Sequence, residues 1–309
     1  MSLRDRRHCL TALLLVVLAS PALLAQEHSA TMELRHGMPF VQVMVNGKGP
    51  FTFSIDTGTG GQALVTDELI QQLNLPVIGE DEVGDPSGLN SHKVPKVRID
   101  SLKVAGLEFK DVQATQHRPS PREGKCDGIL GFLLFRDYLF TMDYPGQKLI
   151  LSSGNLTPDG GNTIISFTMP DNVPLIQLSV ESQSIDAHVD SRGSGLSVPE
   201  KFAQGLKFVS EPIVIGRGRT VSNDFEVKGA QLAGDVRLGG YTFSQPFVAI
   251  NPIFPVGNFG AIPLQYFSVT FDQKNKLLRL LAKDKVIVMP PPRPRTAAAV
   301  PAGSPPEPH

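Results

Sequence analysis

The chain has 309 residues, 41% of them hydrophobic, which is enough for one large core or for two core-bearing lobes. Its 29 Lys and Arg residues are balanced by 30 Asp and Glu residues, and Trp is absent. Without an excess of positive charge or a set of stacking aromatic side chains, nucleic acid and anionic membrane surfaces are not expected as partners.

The first residues of the chain have the pattern of an export signal. Basic residues precede the apolar run Leu10 to Leu18, and small residues lead to Ala25. We predict a signal peptide over residues 1–25 and a periplasmic or secreted protein, with a membrane as partner only if this segment stays uncleaved. Sec and twin-arginine export both stay open, because Arg6-Arg7 matches the twin-arginine signal only weakly.

Cysteine and histidine usage predicts neither crosslinks nor metal. Cys9 precedes the apolar run and would leave with the signal peptide, so Cys126 would be alone in the mature chain. A lone cysteine cannot form an internal disulfide and is more often a packed residue than a nucleophile. The histidines show no spacing typical of metal ligands, and we predict no metal and no cofactor.

Between these ends the chain has the pattern of short strands joined by turns. PFVQVMV, FTFSI, KVRIDSLKV, LIQLSV and LLRLL are rich in Val, Ile, Leu and Phe, and Gly, Asn, Asp or Pro residues separate them. Short helices are predicted at Thr66 to Leu73 and at Pro199 to Gln204. We predict an all-β fold with few short helices, and a disordered tail over the Pro- and Ala-rich residues 289–309.

The central segments repeat in the same order at a spacing of about 135 residues. PFVQVMV corresponds to PLIQLSV, VAGLEF to LGGYTF, and GILGFLLF to GNFGAIPL. Three ordered matches favour two homologous lobes over one long irregular sandwich. We predict an N-terminal lobe over residues 26–160 and a C-terminal lobe over residues 161–288.

One pair of motifs identifies a family. Asp56-Thr57-Gly58 follows an apolar strand, and the motif Gly128 to Gly131 comes about 70 residues later. In this combination the chain resembles the pepsin and retropepsin class of aspartic peptidases, in particular their exported bacterial members with two lobes. The resemblance covers residues 38–280. It implies two pepsin-like β-barrel lobes with a cleft between them, and a monomer that hydrolyses extended peptide or protein substrates.

The resemblance also implies that Asp56 and Asp190, one from each lobe, are the catalytic residues. Two facing carboxylates can share one proton, because like charges a few ångströms apart do not both ionise cheaply. One carboxyl then acts as a base on a water molecule while the other acts as an acid. Their protons belong to the pair rather than to either residue.

Five further residues of the family pattern would support the active-site loops. Thr57 would tie the two loops together, and Ser191 stands in its place in the second lobe. Gly58 would allow a close approach of the backbone that a side chain would block. Gly131 and its counterpart Gly260 would let each active-site loop pack tightly over the neighbouring strand.

The second motif departs from the family pattern at Arg192, which occupies the position of Gly58. Gly193 follows one residue late, and a turn shifted by one residue would restore the geometry. Without that shift, the guanidinium would favour ionisation of both carboxylates and weaken catalysis. A backbone cost would be added if this position needed a conformation that only glycine adopts readily.

Four interpretations of the two acids therefore stay open. In the first, Asp56 and Asp190 form the dyad of an aspartic endopeptidase. In the second, the protein is a catalytically impaired pseudoprotease that binds peptides by strand addition. In the third, two chains bring two copies of Asp56 together, although a covalent second lobe competes for that surface. In the fourth, both acids only cap local turns, which the repeat makes improbable for both at once.

Two loops are further candidates for substrate contacts. VGDPSGLN, from Val83, stands where such enzymes carry a flap over the substrate, and Gly84 and Gly88 are the flap candidates at its tip. A plain surface loop explains this segment nearly as well. Arg217 and Arg219, in the equivalent stretch of the second half, would favour an acidic substrate or else be solvated charges.

Overall fold

The computed structural model describes residues 27–83, 91–119, 124–219 and 224–290. The first half of the chain is a run of strands interrupted by one short helix and one 3-10 turn. In chain order its elements are β1 Glu27–Thr31, β2 Glu33–Arg35, β3 Met38–Val45, β4 Lys48–Asp56, β5 Ala63–Thr66, α1 Asp67–Leu73, β6 Val77–Val83, β7 His92–Val104, β8 Leu107–His117, β9 Gly128–Gly131, a 3-10 turn Phe132–Phe135, β10 Leu139–Asp143 and β11 Lys148–Ser152.

The second half has a similar sequence of elements. These are β12 Ile164–Ser166, a 3-10 turn Pro170–Asn172, β13 Leu175–Val180, β14 Gln183–Val189, β15 Leu196–Pro199, α2 Glu200–Ala203, β16 Ile213–Arg219, β17 Asp224–Gln231, β18 Val236–Leu238, β19 Tyr241–Phe243, β20 Phe247–Asn251, β21 Gly257–Phe259, α3 Ala261–Leu264, β22 Ser268–Asp272, β23 Leu277–Leu281 and β24 Val286–Ile287.

The strands form three sheets. An eight-stranded sheet from the first half has the order β2-β3-β4-β9-β5-β8-β7-β6. A ten-stranded sheet from the second half has the order β16-β17-β20-β15-β21-β14-β13-β18-β19-β24. A six-stranded sheet, β1-β11-β10-β22-β23-β12, takes three strands from each half and joins them.

The two large sheets repeat one local topology. In the first half, β9 pairs parallel with β4 and antiparallel with β5. In the second half, β21 pairs parallel with β14 and antiparallel with β15. Each of these central strands lies between two neighbours, and the residues of β9 are all buried while only Asn258 of β21 is partly exposed. This arrangement places the ends of β4 and β14 at equivalent points of the two halves.

Burial explains why β4 ends where it does. All five residues from Phe51 to Ile55 are buried, including Ser54, so both faces of the strand are covered. Asp127 anchors the strand: its backbone N–H donates to Thr52 O over 2.8 Å, and its Oδ2 accepts from the Thr52 N–H over 2.8 Å. The strand therefore carries Asp56, its last residue, out of a fixed and tightly packed segment.

The six-stranded sheet is packed by aromatic side chains from both halves. Phe140 of β10 stacks on Phe271 of β22 with a centroid distance of 5.7 Å. Phe132 and Phe167 both contact the Phe271 ring edge-on, with centroid distances of 5.0 Å and 6.0 Å respectively. At the centre of the β10–β22 pair, Thr141 lies opposite Thr270. The two halves thus share one continuous apolar core.

The predicted all-β fold class with few short helices is confirmed by this architecture. The first predicted helix is confirmed, with Thr66 as its N-cap: Thr66 Oγ1 accepts from the Leu69 N–H over 3.2 Å. In the second, Pro199 lies just before α2 as its N-cap rather than inside the helix. Helix α3 was not predicted. The lobe boundaries at residues 160 and 161 stay a prediction.

Several predicted segments lie outside the described residues. They are the signal peptide, most of the tail, and the two flap candidates Gly84 and Gly88. Within the described part of the chain, no helix combines the length and apolar character needed to cross a membrane.

Candidate active site

Asp56 lies at the end of β4, in a turn that fixes both of its carboxylate oxygens. The parallel pairing of β4 with β9 places Asp56 opposite Gly131. The Gly58 N–H donates to Asp56 Oδ1 over 2.8 Å, and the Thr59 hydroxyl donates to Oδ2 over 2.9 Å. The carboxyl group is therefore held in one orientation before any substrate arrives.

Asp190 follows β14 in the equivalent turn of the second half. Its backbone N–H donates to Phe259 O of β21 over 3.2 Å. Its Oδ1 accepts two backbone N–H groups, from Arg192 at 2.9 Å and from Gly193 at 2.7 Å. Asp190 is thus fixed by the backbone alone, whereas Asp56 also receives a side-chain hydroxyl.

The structure brings these two carboxyl groups together. The two carboxyl groups lie close enough for the charge of Asp190 to raise the pKa of Asp56. Gly58 lies against both: a Cβ atom at this position would be 2.9 Å from Asp190 Cγ and 3.2 Å from Asp56 Oδ1. A contact under 3.0 Å to a carbon atom is not tolerated without a shift, so a side chain at position 58 would displace the Asp190 carboxyl group.

Thr57 and Ser191 connect the two turns through a closed set of four buried hydrogen bonds. The Thr57 N–H donates to Ser191 Oγ over 3.0 Å, and the Ser191 N–H donates to Thr57 Oγ1 over 2.9 Å. The Thr57 hydroxyl then donates to Val189 O over 2.6 Å, and the Ser191 hydroxyl donates to Ile55 O over 2.8 Å. Each half therefore holds the backbone of the other beside its aspartate.

Gly131 and Gly260 occupy equivalent positions behind the two turns. A Cβ atom at Gly131 would overlap the carbonyl oxygen of Gly61, and one at Gly260 would lie 2.5 Å from Gly193 O. The residues that follow reinforce this contact, since the Phe132 N–H donates to Thr59 O over 2.9 Å and the Ala261 N–H donates to Gly193 O over 2.6 Å. Both turns therefore pack directly against the backbone of the glycine that lies behind them.

The second turn is in register with the first, so the shifted turn considered from the sequence is wrong. The Arg192 N–H takes the role of the Gly58 N–H. The N–H of the following residue closes the turn in both halves: the Thr59 N–H donates to Asp56 O, and the Gly193 N–H donates to Asp190 O. Gly193 therefore corresponds to Thr59, and Arg192 occupies the position of Gly58.

Arg192 takes this position without backbone strain. Neither Arg192 nor Gly58 has a positive φ, so the conformation is one that any residue adopts. The conditional backbone cost considered from the sequence therefore does not arise. What Arg192 changes is charge and volume at the dyad.

Both carboxyl groups keep an opening to the cleft while protein atoms enclose their other sides. This burial, followed by the charge of Asp190, raises the pKa of Asp56 from 3.8 to about 6, against the lowering effect of Arg192. Burial also raises the pKa of Asp190, opposed by the N–H groups of Arg192 and Gly193. The second ionisation of the pair is therefore disfavoured despite the neighbouring guanidinium.

Two residues around the dyad were missed by reasoning from the sequence. Thr59 was missed although it stands within the first motif. Tyr144 is buried nearby, and its pKa is raised by burial and then by the charges of Asp190 and Asp56. No spacing in the sequence signals Tyr144, because it reaches the site only through the six-stranded sheet.

A cavity of about 270 Å³ opens beside Asp190 in the second half. Its walls combine apolar and polar side chains, namely Val227, Ala249, Phe254 and Val256 with His188, Ser194, Ser197, Asn251 and Asn258. Burial lowers the pKa of His188, and the charge of Asp171 opposes that effect. This volume is suitable for one side chain of a bound peptide.

The remaining candidate positions lie away from the dyad. Cys126 is buried and its thiol donates to Gly128 O over 3.1 Å, as expected for a packed residue. Arg217 is exposed on β16, 3.8 Å from Glu226. A second cavity, of about 430 Å³, lies beside the β6–β7 hairpin and contains neither aspartate. Among the described residues, no group of His, Cys, Asp and Glu side chains is arranged to hold a metal ion.

The family comparison covers part of the first half of the chain. Residues 41–133 match the family described as aspartyl protease. Among solved structures, the chain is similar to a retropepsin-like aspartic protease from Rickettsia conorii, with 21% sequence identity, coverage of 41% of this chain and 91% of that chain, and a TM-score of 0.32. No curated protein matches the chain. The family match includes Asp56 and ends before Asp190.

Proposed function

We propose that the protein is an aspartic-type endopeptidase, and the match of residues 41–133 to the aspartyl protease family supports this proposal. Asp56 and Asp190 would activate a water molecule against the carbonyl of an extended peptide. The observation that carries the proposal is the pair of neighbouring carboxyl groups, one from each half, which both lie against Gly58 and both have a raised pKa. Such a pair holds one proton and supplies a base and an acid together.

The two carboxyl groups supply and accept every proton that this reaction requires. The ionised carboxyl takes a proton from water as the water oxygen attacks the peptide carbonyl, and the protonated carboxyl gives its proton to the carbonyl oxygen. The resulting tetrahedral intermediate breaks its C–N bond as the nitrogen accepts a proton from the dyad. Proton return from the intermediate restores the starting state, so no other acid or base is needed.

The pKa values favour this proposal over the pseudoprotease interpretation. A guanidinium at the dyad promotes ionisation of both carboxylates, and the catalytic state would be lost if it prevailed. The pKa of Asp56 is nevertheless about 6 with Arg192 in place, because burial and the charge of Asp190 outweigh it. The state with one shared proton is therefore available at mildly acidic pH.

The test is cleavage of denatured casein by the purified mature chain from about pH 3 to about pH 8. We expect cleavage on the acidic side, inhibition by a statine-type transition-state mimic, and loss of activity in Asp56→Asn. Asp137→Asn, which changes an aspartate that is 66% exposed at the surface, is the matched control and should cleave normally. Circular dichroism on each variant checks that it is folded.

The outcomes separate the two interpretations. A folded chain that cleaves nothing across this pH range would replace the endopeptidase with a peptide-binding pseudoprotease. Cleavage that survives in Asp56→Asn would instead show that the activity does not come from the dyad.

We also propose that the protein acts outside the cytoplasm, in the periplasm or after secretion. The support is the signal-like pattern of residues 1–25 and the single cysteine that remains beyond it. Expression of the whole chain in a Gram-negative host, followed by mass spectrometry of the periplasmic fraction, tests this. A mature chain beginning at Gln26 is expected; a full-length chain confined to the cytoplasm contradicts it.

A further inference from the structure

The cavity beside Asp190 is lined by polar side chains that lie side by side on three strands. His188 of β14 is opposite Asn258 of β21, and Asn258 is opposite Ser197 of β15. Residues directly opposite each other on neighbouring strands point to the same face of a sheet. All three residues line the cavity, so the sheet presents one polar row to it, formed by His188, Asn258 and Ser197.

The equivalent positions of the first half are more apolar. There β9 takes the place of β21, with Ser54 opposite Ile129 and Ile129 opposite Leu64. Ile129 therefore corresponds to Asn258, and Leu64 corresponds to Ser197. Because the strand pairing is the same in both halves, the fold itself does not require polar side chains at these positions. The polar row is a property of the cavity in the second half.

The polar groups of this row are available to a ligand. Within the part of the chain that the structure describes, the side chains of His188, Ser197 and Asn258 form no hydrogen bond with the protein, and all three residues are partly buried. Partly buried polar groups without a protein partner bind water or a ligand. A ligand that displaces the water without replacing its hydrogen bonds is disfavoured.

The polar row extends to the dyad. A Cβ atom at Gly193 would overlap Asn258 Nδ2 and would lie 2.7 Å from Asp190 Oδ2, so these two atoms border the same small space. A peptide whose carbonyl group lies at the dyad therefore has a side chain close enough to enter the cavity. That side chain belongs to a residue next to the cleaved bond.

The walls and the charge of the cavity favour a neutral side chain with an aliphatic stem. Val227, Phe254 and Val256 provide apolar walls for the stem. Asp190 would repel a carboxylate, and no Lys or Arg of the described residues lines the cavity. Burial lowers the pKa of His188, so its imidazole adds no positive charge at neutral pH. A carboxamide is neutral, and it both donates and accepts hydrogen bonds.

We infer that this cavity is a subsite for a carboxamide side chain, so that the proposed peptidase prefers substrates with glutamine next to the scissile bond. His188, Ser197 and Asn258 are its specificity-determining residues. This inference rests on the proposed function, which places an extended peptide at the dyad. Glutamine combines an aliphatic stem, which packs on the apolar walls, with an amide that pairs with the polar row.

The first experiment compares peptides that differ in one side chain. Gln, Glu and the similarly shaped Met are placed in turn at each position flanking the bond of a peptide that the wild type cleaves, and kcat/KM is measured. At one position Gln should exceed Met about tenfold, because Met leaves the polar row unpaired. Gln should also exceed Glu there. Equal values for Gln and Met at every position, or a preference for Glu, would overturn the inference.

Two substitutions test the polar row itself. Asn258→Ile introduces the residue that the first half has at this place, and the ratio of Gln to Met should fall to about one. Ser197→Ala removes a single hydroxyl and should lower the ratio in part. Ser184→Ala changes an exposed serine of β14 and is the matched control, which should keep the full ratio. An unchanged ratio in both folded row variants, checked by circular dichroism, would overturn the inference.

A binding measurement separates this inference from the proposed function. A tryptic digest of a bacterial proteome is passed at about pH 7 over immobilised Asp56→Asn protein and over the Asp56→Asn, Asn258→Ile double variant, and retained peptides are identified. Enrichment of Gln-containing peptides on the first protein alone supports the inference, whether or not the wild type cleaves. Cleavage without preference for Gln overturns the inference and leaves the peptidase standing. Retention without enrichment of Gln, or no retention at all, also overturns the inference.

Discussion

The two aspartates couple the stability of the protein to pH. The pKa of Asp56 is raised from 3.8 to about 6 in the fold, so between these values the folded state binds more protons than the unfolded chain. Stability must therefore decrease as pH rises through this window. For Asp56 alone the loss is at most about 3 kcal/mol, reduced by the solvent that reaches the cleft.

We predict that Asp56→Asn removes most of this pH dependence. Urea unfolding should show the wild type losing stability relative to Asp56→Asn between about pH 4 and about pH 7. Burial still raises the pKa of Asp190 in the variant, so a smaller slope should remain. Asp137→Asn should follow the wild type. Parallel curves for wild type and Asp56→Asn would show that Asp56 ionises as freely in the fold as in the unfolded chain.

At the same scale, the sequence predicted which acids meet but not how the second turn closes. Asp56 and Asp190 could be proposed because each follows an apolar strand in an ordered repeat. Whether Arg192 or Gly193 takes the position of Gly58 depends on how the backbone of the turn is hydrogen-bonded. Both alignments of the turn are compatible with the amino-acid sequence. Only the hydrogen bonds of the folded turn decide it.

At the scale of elements, each active-site turn packs closely onto its neighbouring strand because the contacting residue at the end of that strand is a glycine, which has no side chain. We predict that Gly131→Ala destabilises the protein by about 3 kcal/mol, at the upper end of the cost of overpacking, because the added methyl meets backbone that cannot rotate away. Activity should fall as well, since the displaced turn carries Asp56. Urea unfolding and casein cleavage measure the two effects.

Gly61→Ala is the matched control, in the very turn that Gly131 touches. A Cβ atom at Gly61 would have no neighbour within 4 Å, so this variant should stay within about 0.5 kcal/mol of the wild type. If Gly131→Ala were equally neutral, the turn would have to be free to move away from β9.

Elements were predictable where the residue pattern was local. Thr66 could be identified as a cap because its hydroxyl and the following helix lie within one turn of chain. Helix α3 was not predicted because AIPL contains Pro263 and is only four residues long. Its N-terminus is fixed instead by contacts with the distant second turn, where the Ala261 N–H donates to Gly193 O.

At the scale of the whole molecule, the aromatic cluster of the six-stranded sheet should make the two halves unfold together. Phe271 is fully buried and contacts Phe132, Phe140 and Phe167, which come from both sides of the junction. We predict that Phe271→Ala lowers the free energy of unfolding by about 3–5 kcal/mol. Calorimetry should still show one transition, because the shared core leaves neither half independent.

The half-buried Phe225, on β17 of the ten-stranded sheet, provides the comparison. Phe225→Ala should cost less than Phe271→Ala, since less apolar surface is lost. Two separate transitions in the wild type would show that the halves are autonomous domains joined by a weak interface. The repeat predicted two lobes, but this common sheet could not be inferred, because it pairs strands more than a hundred residues apart.

The pairing of β10 with β22 has a consequence for how such a site can change by mutation. These strands hold equivalent places in the repeat, and Thr141 faces Thr270 with their hydroxyls 2.8 Å apart. Two identical chains could form the same two-fold contact, but every mutation would then appear on both sides of the cleft. A single polypeptide is released from that constraint. One turn contains Gly58 while the other contains Arg192, so the two sides of the site carry different charges.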